Sequence, residues 1–370
     1  MQLKTIELTH FKSYRTRRFQ FHPKLNIIHG LNGSGKTNLL DAIYTLAMSK
    51  SYFQTADSKL RTWQENFYRI DGELIKSDET FRLVVKSMAS KKKVLEKDGK
   101  AYDRLADHLG FMPLVMVAPD DLLLVNGDNA DRRRFVDQTL SQVDQHYLQS
   151  LMTYKHLLKQ RNRMLREALH AGRAAPETLL LSYSERMSAP AEAIRASRRE
   201  FFVSFEPRVT DYHDELSDKR EQISFRYKTD QDERSFLEQS RDQLGKDRAL
   251  GRSSVGPHRD QIEILLDGNA IKLFGSQGQK KSLVLALRLS QYEIIVAQTG
   301  QLPILLLDDL FDRLDEQRVN RLISCILRPE FGQVFITDTA IDPLAQLIGQ
   351  HDFQAIHIEL QQGSSIDEEE

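Results

Sequence analysis

An α/β head interrupted by a helical lobe is the fold class that the 370 residues predict. Three observations carry this. Gly30-Leu31-Asn32-Gly33-Ser34-Gly35-Lys36-Thr37 fills every fixed position of G-x-x-x-x-G-K-[ST], with a strand pattern before it and a helix pattern after it. Residues 120–250 hold few strand-like runs and many helix formers. From Gly256 the strand signals return and lead to a short apolar run, Pro303–Leu307, that ends in two carboxylates, Asp308 and Asp309.

Taken in order, Leu3, Ile6 and Leu8 and then Phe19, Phe21, Leu25, Ile27 and Ile28 predict short strands. Apolar residues at 39, 40, 43, 46 and 47 predict a helix over 38–49. Residues 67–76, 80–88 and 93–102 read as an antiparallel meander, with turns at Ser77-Asp78-Glu79 and Asp98-Gly99. Residues 114–118 form a short apolar strand closed by Pro119. Two apolar stripes, Leu151 to Ala168 and Leu180 to Phe205, predict a helical hairpin turning at 170–178. Strands are expected at 262–266, 271–274, 303–307 and 333–337, and helices at 278–298 and 315–328. The expected domains are residues 1–118 and 251–362 for the head, 119–250 for the helical lobe, and 363–370 for a disordered acidic tail.

Composition narrows the class. Lys and Arg number 52 and Asp and Glu 53, a net charge of −1. A single cysteine, Cys325, excludes an internal disulfide framework and a multi-cysteine metal site, and its apolar neighbours predict a core position. No apolar run reaches the length of a membrane span, and MQLKTIELTHFKSY lacks a signal-peptide core, so a cytoplasmic chain with no membrane partner is expected.

The glycine-rich loop has a definite chemistry. Its glycines let backbone N–H groups turn toward phosphate, Lys36 reaches the β- and γ-phosphates, and the Thr37 hydroxyl is placed for Mg²⁺. The helix after it directs the positive end of its dipole at the anion. Asp308 completes the Mg²⁺ shell and Asp309 orients or deprotonates a water, as in a Walker B strand. A strand followed by an Asp helix cap gives the same local pattern; the loop upstream favours the nucleotide reading.

Ser276-Gln277-Gly278-Gln279, opening a helix before that strand, resembles the signature loop of ABC-type ATPases. Leu314-Asp315 resembles their D-loop. The resemblance implies that Ser276, Gly278 and Gln279 complete the ATP site of a second copy, giving an ATP-dependent homodimer. Taken alone, S-x-G-Q is a helix cap. Two departures, Asp309 in place of Glu and Thr337-Asp338 in place of a switch His, imply slow turnover, a weak DNA-stimulated ATPase acting as a switch.

Lys36 and Ser276 stand 240 residues apart, more than a transporter-type ATPase places between them and less than an SMC protein with its long coiled coil. The opening His10-Phe11-Lys12-Ser13-Tyr14, Pro119–Leu122, Arg132–Asp137, Gly256-Pro257-His258-Arg259-Asp260 and the motifs above together resemble the RecF family of bacterial recombination mediators, essentially over the whole chain. Gln261 departs from an expected second Asp. The resemblance implies an ABC/SMC-type P-loop ATPase head with a helical second lobe inserted, binding to duplex and gapped DNA, and RecR and RecO as partners in loading recombinase on single strands. Lys12 and Ser13 are implied nucleotide contacts. An ABC-type motor subunit, or an SMC-like DNA scaffold unrelated to recombinase loading, is the competing assignment.

Charge placement bears on DNA separately. Residues 132–173 hold nine basic residues against three acidic ones. Arg132, Arg133, Lys155, Lys159, Arg161 and Arg163 are therefore candidate DNA contacts, through phosphates rather than bases. A solvated basic face gives the same run, and Arg132–Arg134 pairing with Asp120, Asp121 or Asp128 gives a structural role instead. His258, with no nucleophile pattern around it, is expected to be structural or interfacial.

Overall fold

A computed structural model describes residues 1–54, 56–217, 221–229, 234–309, 315–339 and 355–361. Along the chain run β1 (Gln2–Phe11), β2 (Tyr14–Gln20), β3 (Leu25–His29), α1 (Lys36–Met48), β4 (Phe67–Lys76), β5 (Glu79–Met88), β6 (Val94–Lys97), β7 (Lys100–Ala101) and β8 (Leu114–Val117). Next come α2 (Leu123–Asn126), α3 (Asn129–Val143), α4 (Gln145–His170), α5 (Glu177–Leu216), β9 (Ile223–Lys228), α6 (Phe236–Asp242), α7 (Leu244–Leu250), β10 (Gln261–Leu266), β11 (Asn269–Ala270) and α8 (Ile271–Phe274). The chain continues through α9 (Gln277–Thr299), β12 (Ile304–Leu307), α10 (Glu316–Ile326), β13 (Val334–Asp338) and β14 (Ala355–Glu359). No described helix is long and apolar enough to cross a membrane.

The chain divides into two compact units. One gathers Met1–Asp121 with the described residues of Glu215–Asp218 and those from Leu285 onward, and the other Leu122–Asp214 with the described residues of Lys219–Val284. Residues 251–284, expected in the head, belong to the second unit. The reason is strand pairing: β10 pairs antiparallel with β9, so the chain after Gly256 completes a three-stranded sheet, β11-β10-β9, inside the helical unit.

The first unit holds an antiparallel sheet, β2-β1-β4-β5-β6-β7, and a parallel one, β14-β3-β13-β12-β8. Helix α1 is apolar on nearly every side and almost entirely buried, as such a helix must be. Its Leu39, Leu40, Ile43 and Leu46 join Leu3, Ile6 and Leu8 of β1, Ile70 and Leu74 of β4 and Leu306 of β12 in one core. The parallel strands β3, β13 and β12 end side by side, so the loop after β3 and the acids after β12 reach the same sheet edge.

The expected strand at 271–274 is helical. Only Asn269 and Ala270 pair with β10, and the chain then turns as Ile271 is buried and Lys272 Nζ donates to the Gly127 carbonyl at 3.0 Å. Strands β9 and β14 appear where no strand was expected. Cys325 is fully buried on α10. The tail 363–370 lies outside the described residues.

Candidate nucleotide site

The loop Gly30–Gly35 is held open by backbone conformations that favour glycine. Gly35 has φ 104°, and a Cβ there would lie 2.8 Å from the Tyr14 hydroxyl. At Gly30, φ is 147° and a Cβ would meet the Leu360 carbonyl oxygen at 2.2 Å. Leu31, Asn32 and Gly33 are exposed and Ser34 is half-buried, so the crest of the loop faces solvent. Lys36 is buried at the first turn of α1, and its Nζ donates to the carbonyls of Gly30 at 2.6 Å and Leu31 at 3.2 Å. The ammonium therefore lies along the loop, where an anion on the loop would meet it.

The acid strand is tied to this loop by hydroxyls. Thr37 Oγ1 donates to Asp308 Oδ1 at 3.1 Å, and Thr337 Oγ1 donates to the same oxygen at 2.8 Å. Thr337 in turn accepts from the Asp309 backbone N–H at 2.9 Å. Thr337 stands on β13, between β3 and β12, so one side chain fixes both acids. Burial pushes the Asp308 carboxyl above its ordinary value. Asp309 is half-buried with φ 48°, a left-handed conformation that Asp tolerates.

These residues fit a nucleoside triphosphate and a divalent cation. Thr37 and Asp308 are hard oxygen donors that already meet, the class that Mg²⁺ takes. Lys36 supplies a positive charge, and the cradle at Gly30 and Gly35 leaves no room for a Cβ.

The turn between β1 and β2 supports the cradle in a way the sequence only partly showed. Tyr14 donates to the Gly35 carbonyl at 3.0 Å, and Asn38 donates to Ser13 Oγ at 2.8 Å. Ser13 thus stands beside the loop. Lys12 has another partner: its Nζ pairs at 2.6 Å with Asp41, a fully buried carboxylate of α1. Asp41 also accepts from Ser51 Oγ and the Tyr52 N–H. Tyr52 and Arg288 both bond Asp121, which places the Pro119–Leu122 element in a buried polar network. Arg288 was missed because it sits in the otherwise apolar run of α9.

Ser276 caps α9. It accepts from the Gln279 N–H at 3.2 Å while its own N–H donates to Gln279 Oε1 at 2.6 Å, and Gln279 Nε2 donates to Glu221 at 2.8 Å. The Ser276 side chain is exposed, Gly278 half-buried, and the neighbouring Leu273 and Phe274 are 74% and 73% exposed. Asp315 caps α10 through the Arg318 N–H, and Leu314 lies outside the described residues.

The candidate DNA contacts divide. Arg161 is 1% exposed and bonds Asp247 and Ser253 at 2.7 Å, so it is a buried ion pair rather than a DNA contact. Arg132 is likewise withdrawn: its guanidinium donates to the carbonyls of Leu124, Val125 and Ile262. Arg133 donates to the Asp260 carbonyl at 2.6 Å and is half-buried, and Arg134 pairs with Asp131. Lys155, Lys159 and Arg163 are exposed on α4. His258 is half-buried, with Nδ1 against the Tyr154 hydroxyl at 2.6 Å; desolvation, with repulsion from Arg259, Arg133 and Arg161, holds its imidazole down at about 4. Its ring is held between the Tyr154 hydroxyl and the Ser253 carbonyl, 3.2 Å from Nε2. Arg161→Ala is expected to destabilise the fold by about 3–5 kcal/mol, because Asp247 is left buried without its cation. Denaturant unfolding measures this, and a loss under about 1 kcal/mol, the range of exposed pairs, would return Arg161 to the surface.

The profile of the RecF/RecN/SMC N terminal domain matches residues 2–348. A relative named DNA replication and repair protein RecF, from Flavobacterium johnsoniae, is 39% identical over 339 residues, 92% of this chain and 94% of its own length. The protein of the same name from Azobacteroides pseudotrichonymphae is 34% identical over 360 residues, 97% and 98% of the two chains. A solved structure of the recombination mediator protein RecF with ATP, in the RecFOR pathway, aligns at a TM-score of 0.85 and 26% identity, over 96% of this chain and 95% of that one. An Smc head domain from Pyrococcus furiosus, bound to the C-terminal domain of ScpA, aligns at 0.56 and 16% identity over 97% and 94% of the chains, a likeness of fold alone.

Proposed function

The chain belongs to the RecF family of DNA replication and repair proteins, and we propose that it is an ATP-operated switch that dimerises on DNA during recombinational repair. One observation carries the reading: the hydroxyl-linked series Thr37, Asp308, Thr337 and Asp309, which joins the phosphate loop to the acid strand.

Lys36 would hold the β- and γ-phosphates of ATP, and Thr37 and Asp308 a Mg²⁺ ion. Bound Mg²⁺ supplies neutralisation of phosphate charge. Asp309 holds a water for attack. Its carboxylate is one methylene shorter than Glu, and Thr337 offers no imidazole, so turnover is slow and the ATP-bound state is long-lived.

The dimer reading draws on Ser276 and its surroundings. Two large apolar side chains, Leu273 and Phe274, stand exposed beside it, and Leu31 on the phosphate loop is 68% exposed. Exposed apolar groups of this kind mark contact surfaces. A two-fold dimer would cover the same surfaces on both copies. The arm would bind duplex and gapped DNA through phosphates, RecR- and RecO-type proteins would be partners in loading recombinase, and the site of action would be the cytoplasm.

Asp309→Asn tests the separation of binding from turnover. Asn tolerates the left-handed backbone at this position, so the fold should persist. Hydrolysis should fall by about 10²-fold or more, the usual share of a general base, while ATP binding is retained and dimers accumulate on DNA. Hydrolysis at the wild-type rate would remove Asp309 from the mechanism.

A further inference from the structure

Two sequence elements with no part in the nucleotide site, Arg132–Asp137 and Gly256–Asp260, meet at one cavity of about 220 Å³ in the helical unit. Its lining carries Arg133 and Arg134 of α3, Lys155 of α4 and Arg198 of α5, against a single carboxylate, Asp137, with His258 beside them. The floor is rigid. Asp137 accepts from Tyr147 at 2.6 Å and from Arg198 at 2.8 Å, and Arg198 also donates to the Pro257 carbonyl at 2.8 Å. The lip is not. Arg134 and Lys155 are 65% and 61% exposed, and their ion pairs with Asp131 and Asp137 are both 3.2 Å long. Exposed ion pairs of this kind contribute little to stability, so both cations can turn toward an incoming anion at small cost.

We propose that this cavity seats a phosphate group of the DNA backbone, gripped by Arg133, Arg134 and Lys155. The proposal rests on the DNA-binding reading above and names where one contact falls. A polyanion suits it better than a lone ion. Lys155, Lys159 and Arg163 recur every four residues on the exposed side of α4, a line of cations in steps of about 6 Å leading from the cavity. Such a contact positions the duplex and reads no base.

The test uses the full chain with ATP and Mg²⁺, a fluorescent duplex oligonucleotide in two unrelated sequences, and anisotropy over a salt series. The double variant Arg134→Gln/Lys155→Gln removes two exposed side chains and should fold. It should lose about tenfold in affinity for both sequences, with the slope of log affinity against log salt shallower by about 1 or more. Arg186→Gln, an exposed arginine of α5 outside the lining, should change neither by comparison. If the wild type binds duplex and the double variant binds equally with an unchanged slope, the cavity proposal fails and the DNA reading stands. If the wild type binds no duplex, the DNA reading itself fails. Inorganic phosphate, added at fixed ionic strength, gives the remaining arm. Stabilisation of the wild type but not the variant, with DNA binding equal in both, would mean that a free anion uses the cavity and would overturn the DNA assignment.

Discussion

Lys36→Ala is expected to weaken ATP binding by about 30-fold or more. The Lys36 ammonium is buried and aimed along the loop by two carbonyls, 2.6 and 3.2 Å away. A triphosphate seated there would face it at close range with little water between. Removing one partner of such a pair costs about 2–5 kcal/mol, or roughly 30- to several-thousand-fold in affinity. The fold should survive, since Ala is the best helix former and the position opens α1. Titration calorimetry with ATP and Mg²⁺ reads the result. Wild-type affinity in the variant would mean that phosphate does not occupy the Gly30–Gly35 cradle.

Ser276→Arg is expected to leave ATP binding to the single chain intact and to block ATP-dependent dimers. Ser276 has two readings that the structure makes concrete. As a cap on α9 it is worth about 1 kcal/mol, and its bonds with Gln279 are in place. As a signature residue it presents an exposed hydroxyl between exposed Phe274 and the start of α9, ready for the phosphates of a second copy. Arginine there adds bulk and charge to a surface that must close on its partner. A variant that is slightly less stable yet dimerises normally would reduce Ser276 to a cap. Mixing Ser276→Arg with Lys36→Ala sharpens the contrast. In a mixed dimer one site carries both lesions and the other neither, so partial ATP-dependent function should return.

Much of this was legible in the sequence because the relevant patterns are local. The phosphate loop with its flanking β3 and α1, the meander β4–β6 and the acid strand β12 are each fixed by spacing within a few residues. What was not legible depended on distant partners. Arg161 looked like part of a solvated basic run, and its burial follows from Asp247, 86 residues away. Arg198 meets Asp137 across 61 residues. Thr337 drew notice only for not being histidine, yet it bridges Asp308 and Asp309 because β13 lies between β3 and β12, a topology no periodicity reveals. Strand β9, Ile-Ser-Phe-Arg-Tyr-Lys, is the exception: it alternates apolar and polar at every position, a strand pattern legible in the sequence but overlooked inside a helix-rich region, and β10 pairs with it. Ile271–Phe274 fits strand propensity, but tertiary hydrogen bonds at Lys272 turn it into a helix.

The central claim, that ATP drives two copies together, is tested most directly by the mass of the purified chain in solution. Light scattering with and without ATP and Mg²⁺, each with and without duplex DNA, should show the mass doubling when ATP is present and the doubling persisting on DNA. The Ser276→Arg chain, measured alongside at saturating ATP, should stay at the single-chain mass. A wild-type mass that does not change at saturating ATP, with or without DNA, would contradict the account.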